Sequence, residues 1–164
     1  MEFSLQPAPL DNLQIVLTWV STPQELRLWG GPALTFPPVP ERTWHEIGAT
    51  DQNTFALIDP EGKVAGLGQT LWRDPDTVHL GRIIVSPALR GKGLGRTLCR
   101  LLIQAGSTLY HPAKFTLNVD KDNAPAYNLY GALGFKVLSE DPEQLSVKMC
   151  LQVEPGFNRT PFGE

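Results

Sequence analysis

Cysteine and methionine are scarce, two of each among 164 residues, and no hydrophobic run approaches the ~18 residues of a membrane span. Cys99 lies in a leucine-rich helical pattern and Cys150 in an alternating run, and neither number nor spacing makes a disulfide framework or a zinc site. Reduced, buried thiols are expected, and no metal. Charge is also sparse: charged residues make up 19% and the formal net charge is −3. That excludes the broad positive field of a nucleic-acid binder, and no acidic run marks a receiver of polyamines or basic peptide tails. The start, MEFSLQPAPLDN, lacks the basic and then apolar regions of a secretory signal. A soluble, cytoplasmic protein without a membrane partner is expected.

Punctuation, by contrast, is plentiful. Fifteen prolines and fifteen glycines cut the chain into short elements without leaving a long linker. The length suits one domain with a real core, placed over residues 1–153, with 154–164 (EPGFNRTPFGE) as a loose tail of little periodicity. Phe3–Gln6 reads as a strand and Leu10–Val20 as a helix. Thr22-Pro23-Gln24-Glu25 starts a second, short helix, with a capping threonine, proline at the first position and glutamate three residues after the cap. WGGP at 29–32 stops it, and FPPVP reads as a stiff connection. Residues 53–73 form two strands joined at Pro60-Glu61-Gly62, and Thr77–Val85 a third. Leu94, Leu98, Leu101, Leu102 and Ala105 share one helical face. KFTLNV is a strand, 123–133 a helix, and GFKVLSE and QLSVKMCLQV the last strands. Antiparallel strands followed by a β-α-β crossover predict an α/β (α+β) fold, a mixed central sheet of about six to seven strands with helices on both faces.

The segment PALRGKGLGRT joins the third of these strands to the leucine helix. It fails as a P-loop, because Gly91-Lys92 is followed by Gly93 and not by a hydroxyl residue, and as a dinucleotide fingerprint, because Gly91, Gly93 and Gly95 are spaced by two throughout. A kinase or dehydrogenase is therefore disfavoured. The physics of an anion site survives: a helix start offers unpartnered amides, glycines allow close approach, and Arg90, Lys92 and Arg96 supply positive charge. A solvated basic turn is the plain alternative.

Arg90-Gly91-Lys92-Gly93-Leu94-Gly95 resembles the [Gln/Arg]-x-x-Gly-x-[Gly/Ala] segment of the GNAT N-acetyltransferases, and Asn123, Ala126, Tyr130 and Gly134-Phe135 resemble that family's second motif. The first 50 residues match only in outline. The resemblance implies acetyl transfer from acetyl-CoA to the primary amine of a small molecule or peptide by direct attack in a ternary complex, and leaves room for a homodimer. It implies that the fourth and fifth strands splay around the pantetheine arm. Ile83, Ile84 and Val85 would then pair with pantetheine and the acetyl carbonyl, and the amides of Arg90, Gly91, Lys92, Gly93, Leu94, Gly95 and Arg96 would hold the diphosphate. Asn118 and Asn123 would touch the coenzyme; otherwise they are a turn residue and a helix cap.

Direct attack needs an oxyanion donor, for which the Val85 N–H is the candidate, and a proton for the departing thiolate, which the Tyr130 phenol could supply. Tyr127, three residues earlier, is its competitor, and packing on the sheet is the plain reading of Tyr130. Many family members carry a carboxylate on the fourth strand as base; this chain has His79 there. Strand alternation would put His79, Gly81, Ile83 and Val85 on one face. His45, Glu46 and Glu25 are alternative bases, and Trp19, Trp29, Phe36, Trp44 and Trp72 line a pocket or build core. A non-catalytic acyl-CoA sensor of the same fold is the rival function.

Overall fold

Local chemistry decides the first helices. The computed structural model describes residues 2–154, so the tail expected over 154–164 lies, beyond Glu154, outside the described residues. Strand β1 (Ser4–Pro7) leads into α1 (Leu10–Leu17). Leu13, Val16, Leu17 and Val20 recur at the helical period and are all buried. Helix α2 (Pro23–Gly30) begins where its capping signal predicts: the Glu25 N–H donates to Thr22 Oγ1 at 3.0 Å, while the Glu25 carboxylate accepts from the Ser21 N–H and Oγ at 2.7 and 2.9 Å. Gly31, at φ 94°, ends it.

A third helix, α3 (Pro40–Glu46), departs from the expected connection. The proline run reads as a stiff link, yet Pro40 occupies a first-turn position of the helix, where its fixed φ helps and its missing N–H costs nothing. His45 and Glu46 belong to this helix.

The strands follow as β2 (Thr54–Ile58), β3 (Val64–Arg73), β4 (Thr77–Val85), β5 (Lys114–Asp120), β6 (Lys136–Ser139) and β7 (Ser146–Gln152). Helix α4 (Leu94–Tyr110) connects β4 to β5, and α5 (Ala124–Ala132) precedes β6. The sheet is mixed and seven-stranded, in the order β1-β2-β3-β4-β5-β7-β6. β4 and β5 are parallel, whereas β1 with β2, β2 with β3, β5 with β7 and β6 with β7 are antiparallel.

The described chain forms two compact units, with β3, β4 and α4 each contributing to both. One takes residues up to Gln69 with Arg82–Leu102. Its core joins Leu13, Val16, Leu26 and Trp29 to Ala56, Leu67 and Ile84. Trp19 and Trp44 pack against this cluster, which makes them framework, as does the burial of Trp29. Leu94, Leu98 and Leu102 are buried along α4, with Leu101 and Ala105 only half-buried at the edge of that face.

The second unit takes Thr70–Gly81 and the described residues from Ile103 on. Phe115, Leu117 and Val119 alternate as buried residues along β5, and Val147 and Met149 along β7. A Cβ on Gly106 of α4 would stand 2.9 Å from the Phe115 ring and 3.3 Å from Val78 Cγ1, so this glycine lets α4 approach the sheet. A Cβ on Gly134, just past α5, would meet Leu151 at 3.2 Å. Phe115 and Leu151 are register partners, so α4 and the exit of α5 cover this face. Lys114, Thr116 and Asn118 point to the other side. Trp72 stacks on Tyr110 at 5.3 Å between ring centroids.

Strand β4 does not keep its alternation. Arg82 has φ 47°, a left-handed value inside a strand. Gly81 keeps the face of His79, whose Cδ2 is 4.0 Å from where a Gly81 Cβ would lie. Ile83 sits on the α4 side, its Cγ1 3.5 Å from where a Gly68 Cβ would lie, with Leu102 Cδ1 at 2.6 Å from the same point. The left-handed step at Arg82 interrupts the regular alternation expected for His79, Gly81, Ile83 and Val85.

Two glycines test this packing. A Cβ on Gly66 would stand 2.8 Å from the Ile84 carbonyl oxygen, which cannot swing away, whereas one on Gly131 in α5 would meet nothing within 4 Å. Gly66→Ala should destabilise by about 1–3 kcal/mol through overpacking, and Gly131→Ala should stabilise by about 0.5–1 kcal/mol through helix propensity. Urea unfolding of both variants checks the pair; equal effects would contradict the packing described.

Candidate functional site

The segment after β4 is built to expose backbone. A short 3-10 turn, Pro87–Leu89, follows the strand, and α4 starts at Leu94. Gly91 and Gly93 hold φ of 79° and 81°, with nothing within 4 Å of the position a Cβ would take. Those left-handed values suit glycine and strain other residues. The first-turn amides of α4 have no partner inside the helix and lie at the positive end of its dipole. Arg90, Lys92 and Arg96 are exposed around them. Arg90 has a second duty, since its Nε donates to the Val85 carbonyl oxygen at 3.1 Å and ties the loop to the end of β4.

In the same unit a network holds β4 at its left-handed residue. Arg82 Nε and Nη2 donate to the Gly30 carbonyl oxygen, each at 3.3 Å, and Nη1 donates to Gln69 Oε1 at 3.3 Å. Trp29 Nε1 donates to the Arg82 carbonyl oxygen at 2.8 Å. Gln69, fully buried, in turn donates to the Ile47 carbonyl oxygen and Thr54 Oγ1, each at 3.1 Å. Nothing in the sequence pattern singles out Arg82 or Gln69, because their partners are set only by tertiary contact.

The second unit carries the other candidates. β4 pairs with β5 in parallel at Thr77, Val78 and His79 against Lys114, Phe115 and Thr116, the first three residues of each strand. On the last of these rungs His79 Nδ1 lies 2.8 Å from Thr116 Oγ1, which orients the ring. His79 and Thr116 line a cavity of about 430 Å³ together with Arg73, Lys114, Asn118 and Lys148. Tyr130 does not line it. Tyr130 is buried, 8% exposed, with its ring edge-on to Phe135 at 6.1 Å, whereas Tyr127 is 40% exposed. Burial thus separates the two tyrosines where helical spacing could not. Asn123 caps α5, its Oδ1 accepting the Ala126 N–H at 3.3 Å, so the capping role holds.

The two carboxylates suggested as alternative bases are occupied. Glu25 has its carboxyl lowered from the ordinary value by the Ser21 amide and hydroxyl. Glu46 is lowered by the Thr35 hydroxyl, which donates to its Oε2 at 2.7 Å. Both are poorer proton acceptors for it. Phe36 is exposed. Among the described residues no group of His, Cys, Asp and Glu is placed to hold a metal ion, and no helix is long and apolar enough to cross a membrane.

The candidate residues stand on a mixed sheet with a glycine-rich helix start after its fourth strand. The model of the acetyltransferase (GNAT) family matches residues 19–135, and the chain belongs to that family. It is similar to an N-acetyltransferase 9-like protein of Nematostella vectensis, 30% identical over 55% of this chain and 53% of the relative. It is also similar to spermidine N(1)-acetyltransferase of Escherichia coli K12, 34% identical over 51% and 46%. The chain thus spans about half the length of these curated relatives. Among solved structures, spermidine N-acetyltransferase from Vibrio cholerae, in complex with CoA and spermine, superposes with a TM-score of 0.77 at 17% identity, covering 92% of this chain and 95% of that one.

Neither cysteine is suited to carry an acyl group. Both are free and buried, and burial pushes the Cys99 thiol up to about 12 and raises that of Cys150, so thiolate is scarce near neutrality. Titration of the native protein with a thiol reagent at pH 8 should label neither on the minute scale, and both after unfolding in guanidinium. Rapid native labelling would overturn this.

Proposed function

We propose that this protein transfers the acetyl group of acetyl-CoA to a primary amine of a small molecule or peptide, by direct attack within a ternary complex. The observation that carries it is the exposed, glycine-opened start of α4, where Gly91 and Gly93 stand left-handed among Arg90, Lys92 and Arg96 inside the segment matched by the family model. The loop suits a diphosphate: Gly91 and Gly93 place no Cβ beside their amides, and Arg90, Lys92 and Arg96 are exposed around them. Residues 1–153 form the catalytic domain in this reading, and the protein works in the cytoplasm, apart from nucleic acid and membrane.

The cosubstrate supplies an activated thioester. The amides from Arg90 to Arg96 hold its diphosphate, and the backbone of Ile83, Ile84 and Val85 aligns the pantetheine arm, with the Val85 N–H receiving the carbonyl oxygen as it gains charge. Asn118 and Asn123 contact the coenzyme. His79 accepts the proton of the attacking amine, its ring held by Thr116, and histidine titrates in the range this needs. Tyr130 gives a proton to the departing sulfur, its ring held edge-on to Phe135. A carbon–nitrogen bond forms, the carbon–sulfur bond breaks, and the products are the amide and the free thiol.

Thermal shift with acetyl-CoA, ATP and NAD, followed by thiol release over an amine panel, tests the reading. Stabilisation by acetyl-CoA with amine-dependent thiol release is expected. Stabilisation without release across the panel would make the protein a coenzyme-binding sensor, and a response to ATP or NAD alone would overturn the proposal. Tyr130→Phe should lower kcat by about 100-fold, the scale of general acid catalysis, with affinity for acetyl-CoA within about threefold of wild type. Unchanged turnover would remove Tyr130 from the mechanism.

A further inference from the structure

We propose that the acceptor amine carries an anionic group, a carboxylate or phosphate, which docks in the basic cavity of the second unit. This rests on the acetyl-transfer reading and deepens it by naming the class of acceptor.

The cavity, about 430 Å³, falls in the range of small-molecule sites. Its lining is strongly one-sided. Arg73 comes from the end of β3, Lys114 from the start of β5 and Lys148 from β7, and no aspartate or glutamate lines it. Among the described residues neither lysine ammonium has a hydrogen bond or ion pair, while Arg73 Nη1 donates to the Trp72 carbonyl oxygen at 3.3 Å. In a chain of net charge −3, three cations without a carboxylate partner in one concavity are a local arrangement.

The register shows what they bracket. Thr116 pairs with His79 on one side and with Cys150 on the other; Asn118, two residues on, pairs with Lys148, and Lys114 lies two residues before Thr116. Each lysine is thus about 7 Å along the strand from the His79 rung. An amine presented to His79 would place an anion three to five bonds away within reach of a lysine ammonium, and the Thr116 hydroxyl and Asn118 amide offer neutral hydrogen bonds beside it.

The same lining argues against polyamines. A spermidine chain would bring two or more ammonium groups into a cavity that already holds cations and offers no carboxylate, and like charges facing each other reject a ligand. Relatives bear the name of spermidine acetyltransferases, but a fold does not dictate the chemistry of its pocket.

The test uses primary amines matched in length and differing at the far end: 4-aminobutyrate, n-butylamine and putrescine, with glutamate and phosphoethanolamine beside them. By thiol release with the intact chain, kcat/KM for the best anionic amine should exceed that for butylamine and putrescine by at least about tenfold. The double variant Lys114→Ala, Lys148→Ala should erase the preference through the acceptor KM, leaving the KM for acetyl-CoA within about twofold. Equal or better use of putrescine, or a change confined to the KM for acetyl-CoA, would overturn the proposal. If acetyl-CoA binds and no amine is acetylated, the acetyl-transfer reading fails separately. The anion site is then judged by titrating the isotope-labelled protein with glutarate: saturable shifts at Thr116 and Asn118, lost in the double variant, support it, and their absence refutes it.

Discussion

One backbone angle decides where the second half of β4 sends its side chains. Arg82 stands left-handed at φ 47°, a conformation that costs an ordinary residue of order 1–3 kcal/mol unless its surroundings hold it. They do so at both ends of the residue. Its guanidinium is gripped by the Gly30 carbonyl and Gln69, and its carbonyl by the Trp29 indole. Beyond that step Ile84 joins the core with Leu13, Leu26 and Trp29, and Ile83 packs beside Leu102 of α4.

The chain concentrates positive charge in two places and uses different chemistry in each. In the proposed reading the backbone is the receptor at the start of α4, and the side chains of Arg90, Lys92 and Arg96 are auxiliaries. Such a site needs glycine and a helix end more than it needs any given side chain. In the basic cavity the receptor is made of side chains on strands, and a few substitutions would recast it. That division fits a family in which one partner of the reaction is common and the other varies. It also explains how a chain superposes on a spermidine acetyltransferase with a TM-score of 0.77 at 17% identity while lining its cavity with lysines.

Much of the fold is legible in the order of the residues. Capping chemistry at Thr22 locates α2, period-3.6 leucines locate α4, and β4 begins and ends at the residues its composition marks. The glycine loop is legible because its signal is local. What escapes a reading of the sequence depends on contacts distant along the chain. Helix α3 hides behind Pro37-Pro38-Val39-Pro40, where the last proline starts a helix and does not prolong a connection; the buried positions Thr43 and Ile47 are too few to show a period. The left-handed step at Arg82 has Gly30 and Gln69 beside it, far away in sequence. Lys114 and Lys148, taken singly, are solvated charges on strands, and only the β5–β7 register makes them neighbours of one cavity.

The central claim is that the glycine-opened amides at the start of α4 bind a diphosphate. Calorimetry comparing acetyl-CoA with acetyl-pantetheine, which has the same thioester and arm but no diphosphate, tests it most directly. Acetyl-CoA should bind at least about 100-fold more tightly, and its advantage should shrink when a side chain is forced onto the left-handed turn by Gly93→Val. Equal affinity for the two compounds would contradict the account.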